Sequence, residues 1–108
     1  EKLMDKIITI LDELGLPFAY DHFTEGEGPD PPFLCYRCPN SDNFAADGTV
    51  YFPITEIDIE LYTDKKDPKI EKKLEDLLVK SGIFFDKTET WIESEKLYEV
   101  LYSFEQEA

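Results

Sequence analysis

The chain has 108 residues, 42% hydrophobic and 14% aromatic, enough for one hydrophobic core and far from the composition of a disordered chain. Its 25 acidic against 11 basic residues give a formal charge of -14, the wrong sign for gripping phosphates or anionic lipid, so neither direct nucleic-acid binding nor a membrane role is expected. No apolar run approaches the roughly 20 residues of a membrane span, and the N-terminal segment reads as amphipathic helix instead of a cleavable leader. One domain spanning 1–108, located in the cytoplasm, is the expectation.

Leu3, Met4, Ile7, Ile8, Leu11 and Leu14 recur at helical spacing, and Gly15 and Pro17 supply a stop, which predicts a first helix over Leu3 to Leu14. Phe18 to Phe23 is short and aromatic and reads as a strand; the Gly- and Pro-rich loop Thr24 to Pro32 follows it. Phe33 to Cys38 reads as a second strand, and Asn40 to Gly48 as a polar loop whose Asp47-Gly48 marks a turn, so that a hairpin with the next strand is expected. That third strand, Thr49 to Tyr62, changes phase. Val50, Phe52 and Ile54 share one parity and Ile57, Ile59 and Leu61 the other, which predicts a bulge or bend near Pro53 to Glu56. In its second half Glu56, Asp58 and Glu60 alternate with the apolar set, giving one buried and one acidic face.

Asp67-Pro68 is a helix-start signal: Asp caps free backbone amides, and proline at the first position loses no needed donor. Ile70, Leu74, Leu77 and Leu78 form the stripe of a second helix, ended by Gly82. Ile83 to Ile92 and Leu97 to Phe104 complete the chain as two strands with a hairpin around Glu93 to Lys96. The order α-β-β-β-α-β-β predicts an α+β fold, a mainly antiparallel sheet with two helices packed on one face. Leu11 to Phe18 and Leu78 to Phe85 echo one another, both running from helix end through glycine into an aromatic strand, which a generic helix exit explains as well as a duplication.

Chemistry-bearing motifs are sparse. Cys35-Tyr36-Arg37-Cys38 has the spacing of a zinc or thiol-exchange pair, but His22 is the sole further soft ligand, and residues three apart on a strand face opposite sides. Two ordinary cysteines, one of them buried, is the reading preferred. His22 is the lone imidazole and no G-x-S-x-G elbow is present, so no nucleophilic triad is selected. The loop of Gly26 and Gly28 carries Glu25, Glu27 and Asp30, which repel phosphate, and Asp42, Asn43 and Asp47 do not match the spacing of a calcium-hand loop. Neither a catalytic centre nor a cofactor or metal site is expected.

Aromatic residues are the more useful signal. Tyr20, Tyr36, Phe44, Tyr51, Tyr62, Trp91 and Tyr98 exceed what a core of this size needs, so some are expected on the surface. Phe44 within a polar loop, Tyr51, and Tyr62 on the acidic face of Glu56, Asp58 and Glu60 form the candidate interface.

The run Ile57 to Pro68, IDIELYTDKKDP, and Thr90 to Phe104, TWIESEKLYEVLYSF, with the helix exit Leu14 to Pro17 and the loop Asn43 to Tyr51, resemble phage and prophage tail terminator (tail-to-head joining) proteins of long-tailed phages of Gram-positive bacteria. The resemblance implies a non-enzymatic virion part, a homo-oligomeric ring, typically hexameric, that caps the tail tube and meets the head-connector proteins. It implies a place in the bacterial cytoplasm during assembly and in the virion of an active phage. The face of Glu56, Asp58 and Glu60 would then line a lumen and repel passing DNA, or form a solvated outer face. From charge alone, the alternative is an acidic mimic that occupies a basic site on a nucleic-acid-binding partner. A small thiol or metal enzyme built on Cys35 and Cys38 is the third.

Overall fold

The two stretches of helical periodicity fold as α1 (Lys2–Leu14) and α2 (Pro68–Lys80) in a computed structural model that describes residues 2–24, 26–39, 44–46, 49–52 and 54–107. Between and after them lie β1 (Phe18–Tyr20), β2 (Phe33–Arg37), β3 (Phe44–Ala46), β4 (Thr49–Phe52), β5 (Ile54–Thr63), β6 (Asp86–Ile92) and β7 (Leu97–Glu107). Five strands form the main sheet in the order β1-β2-β5-β7-β6, and β3 and β4 form a separate antiparallel ribbon. Every neighbour pair in the main sheet is antiparallel except β1 and β2, which run parallel. The α+β class and the order of the main elements are as the sequence predicts.

Ends and caps follow from local chemistry. Asp67 accepts a hydrogen bond from the Ile70 amide at 3.2 Å, and Pro68 opens α2. Gly15 and Gly82 close the two helices at φ 84° and 75°, values that side chains rarely adopt. The echo between the two exits is this shared device. It goes no further, because β1 pairs parallel and β6 antiparallel with the inner neighbour.

Both helices lie on one face of the sheet. Ile7, Ile10, Leu11 and Leu14 of α1 and Leu74 and Leu78 of α2 join Leu34, Ile57, Ile59, Leu61, Val100 and Tyr102 in one core. Strands β2, β5 and β7 contribute alternate residues to it. Burying each such aliphatic side chain contributes roughly 1.5–3 kcal/mol, so this layer is the main source of stability. Lys73 reaches from α2 to cap α1, its Nζ donating to the Leu14 carbonyl at 3.2 Å. Glu71 is buried under α2 between two cations, with Lys66 Nζ at 2.7 Å from Oε2 and Lys87 Nζ at 2.9 Å from Oε1. Lys87 also meets Glu75, which accepts the Tyr102 hydroxyl at 2.8 Å, so the network ties α2 to β6 and β7.

Several boundaries and one strand pairing differ from expectation. The first strand ends at Tyr20 and not Phe23, because Asp21 takes a left-handed backbone (φ 64°) and the His22 amide folds back onto the Tyr20 carbonyl at 2.7 Å. The long strand Thr49 to Tyr62 is two strands in different sheets, β4 in the ribbon and β5 at the centre of the main sheet, which accounts for its change of phase. Strand β2 therefore pairs with β5, and the ribbon is inserted between them. Strand β6 starts at Asp86 and not Ile83: Ile83 drops into the core, Phe85 packs on Tyr102 with centroids 5.2 Å apart, and Phe84 is left outside. The hairpin over Glu93 to Lys96 forms as expected, with Lys96 at φ 55°. Asp42, Asn43, Asp47 and Pro53 lie outside the described residues.

Candidate functional site

Because α1 and α2 cover one face, the other face of the main sheet has no helix over it among the described residues. Strand alternation assigns its residues: Phe33, Cys35 and Arg37 from β2; Glu56, Asp58, Glu60 and Tyr62 from β5; Glu99, Leu101, Ser103 and Glu105 from β7; Asp86, Thr88, Thr90 and Ile92 from β6. Four of the six residues proposed as an interface, Glu56, Asp58, Glu60 and Tyr62, therefore share this outer face. The side chains of Phe44 and Tyr51 lie outside the described residues, and their strands belong to the ribbon.

The acidic row is less exposed than simple alternation suggests. Strand β5 sits at the centre of the sheet, so its outward side chains are flanked on both sides, and Asp58 and Glu60 retain only 8% and 13% of their side-chain exposure. Arg37 lies across from them, its Nη2 3.5 Å from Asp58 Oδ2 and its Nε 3.9 Å from Glu60 Oε2. The Tyr62 hydroxyl lies 2.8 Å from Glu99 and 3.2 Å from Glu60. Burial, then the charge of Glu99, pushes the Glu60 carboxyl above its usual range, against the hydrogen bond from Tyr62. Burial, with acceptance by the two carboxylates, pushes the Tyr62 phenol up.

The face is divided into an apolar and an acidic end. At the apolar end Phe33 stacks on Tyr62 with centroids 5.1 Å apart and Phe23 meets Phe33 edge-on at 5.5 Å, beside a cavity of about 310 Å³ that Cys35, Ile92 and Leu97 also line. Asp21 and His22 stand at its rim, with His22 Nδ1 3.0 Å from Asp21 Oδ2. Cysteine, histidine and aspartate thus line one cavity, yet the thiol is not activated. Burial, then the nearby carboxylates Glu60, Asp21 and Glu99, pushes Cys35 up to about 11. Cys38 faces the other side of the sheet, its Sγ 3.7 Å from Met4 Sδ, as strand alternation predicts.

At the acidic end Glu56, Asp86 and Glu105, with Phe84, Phe85, Ser103 and Phe104, line an open notch of about 490 Å³. Phe84 is 94% exposed. Sequence reasoning missed it, although three successive apolar residues, Ile83 to Phe85, cannot all turn inward from an edge. It also missed Glu99 and Glu105, which enter the site only through their register with β5. Among the described residues, no three His, Cys, Asp or Glu come together in a way that could hold a metal ion. No helix among them is long and apolar enough to cross a membrane. No protein-family model matches the chain, and no curated protein matches it significantly.

Proposed function

We propose that the chain is a non-enzymatic assembly protein of a phage or prophage tail, which oligomerises into a ring, caps the tail tube and joins it to the head connector. The sequence resemblance motivates this reading, and the open sheet edges carry its physical side. Strand β6 borders the sheet with Asp86 to Trp91 all exposed, and β1 borders it on the far side. A closed ring needs one patch on each copy to meet a different patch on the next, and two unlike strand edges on opposite sides of one sheet supply such a pair. The exposed rings of Tyr20 and Trp91 sit on those same edges and would anchor the contact.

Light scattering across protein concentration, with and without the tail-tube protein, tests the proposal. A discrete oligomer and shortened tubes are expected. A chain that remains monomeric at every concentration and leaves tube length unchanged overturns it.

A further inference from the structure

The acidic end of the outer face carries more negative charge than the described residues satisfy. Glu56 and Glu105 stand directly opposite one another across β5 and β7, and in the next row Asp58 and Asp86 flank Ser103 from either side. Among the described residues the cation that reaches this group is Arg37, on the β2 side of Asp58, where it meets Oδ2. Asp58 Oδ1 is buried and has no hydrogen-bond partner among the described residues, on a side chain that is itself 8% exposed. A buried acceptor without a donor is costly to keep. Asp58 itself does not line the 490 Å³ notch; Glu56, Asp86 and Glu105 do, with Phe84 and Ser103, and β7 runs on past Ser103 to Glu107 while its β6 neighbour begins only opposite Ser103.

We propose that this end of the sheet is a docking site for an arginine-bearing strand or loop of a protein partner, whose guanidinium group enters the notch between Glu56, Asp86 and Glu105 against the ring of Phe84. Charge complementarity selects the occupant: Glu56, Asp86 and Glu105 line the notch, none of them makes an ion pair among the described residues, and the chain has a formal charge of -14. A planar cation with five donors fits spaced carboxylates that do not converge on a metal-sized point, and it stacks on an aromatic face. A second copy of the chain is a poor source, because its sole arginine, Arg37, is already engaged by Asp58 and Glu60. The site does not depend on the chain closing into a ring.

The test uses the full chain and a hexapeptide of alternating arginine and valine, compared with the same peptide carrying citrulline, the neutral isostere of arginine. Amide NMR titration should shift residues 56–58, 84–86 and 103–105, with the citrulline peptide at least about tenfold weaker. Glu56→Gln with Glu105→Gln should weaken the arginine peptide about tenfold, and Phe84→Ala, at an exposed position that leaves the fold intact, about threefold. Asp12→Asn with Glu13→Gln removes the same charge from α1 and should change affinity less than about twofold. No binding, equal binding of the citrulline peptide, an equal loss in the α1 control, or shifts spread over α1 and α2 would each overturn the site. A lysine peptide that binds as tightly would overturn the guanidinium assignment.

Discussion

The Tyr62 hydroxyl stands 2.8 Å from a Glu99 oxygen and 3.2 Å from a Glu60 oxygen, so one phenolic proton serves two carboxylates on the same face of the sheet. Burial and the charge of Glu99 raise the Glu60 carboxyl, which fixes the sign of its effect on folding. A carboxyl raised in the folded state costs nothing below its unfolded pKa; the cost grows as pH rises through the carboxylate range and is complete above the folded pKa. Glu60→Gln should therefore leave stability at neutral pH unchanged or raise it. Tyr62→Phe removes the shared donor and should cost about 1 kcal/mol there. Urea unfolding near neutrality and at about pH 4 measures both. Equal losses for the two variants at neutral pH would show that the Glu60 charge is stabilising.

Glu71 has the opposite sign. Burial alone would raise its carboxyl, but hydrogen bonds from Lys66 and Lys87 outweigh that and hold it below the usual range. The stability it supplies is present above its unfolded pKa and is lost as pH falls through the folded value. Because both lysines stay partly exposed and can turn to water, Glu71→Gln should cost only about 1–3 kcal/mol at neutral pH. The gap from wild type should shrink in acid. A gap that holds constant down to about pH 3 would assign the loss to packing instead of charge.

Most of the fold was legible because apolar periodicity records which face of each element is dry. Ile57, Ile59 and Leu61 announce the inner face of β5, and Asp67-Pro68 the start of α2. What periodicity does not record is neighbours. The phase change at the start of β5 reads as a bend in one strand, since nothing local says that Thr49 to Phe52 pairs with Phe44 to Ala46 in another sheet. The exposure of Asp58 and Glu60 was misjudged for the same reason. Their burial comes from Arg37, Glu99 and Ser103, residues some 20 to 45 positions away whose register the sequence alone does not fix.

The two thiols should behave as residues without a shared role. Cys35 is buried and pushed up to about 11, and Cys38 lies on the other side of the sheet, so no disulfide between them is expected. Titration of the native chain with an aromatic disulfide reagent at about pH 8 should leave Cys35 unreacted, and denaturant should release two thiols. The double serine variant should keep its oligomeric state. Rapid native reaction of Cys35, or an oligomer lost on that substitution, would reopen a thiol-based function.

Phe84 and Phe85 are adjacent in sequence and opposite in environment, which separates a folding role from a binding one. Phe85 packs edge-on against Tyr102 beneath α2, so Phe85→Ala should cost about 2–4 kcal/mol in urea unfolding. Phe84 stands almost wholly in water at the rim of the acidic notch, so Phe84→Ala should change stability by less than about 0.5 kcal/mol. In the proposed docking site this exposed ring, standing among three carboxylates, supplies the stacking surface for the guanidinium. Phe84→Ala should therefore weaken partner capture while the chain melts normally. A variant that unfolds early would place Phe84 in the core of the protein, and one that melts and binds as wild type would remove the notch from the interface.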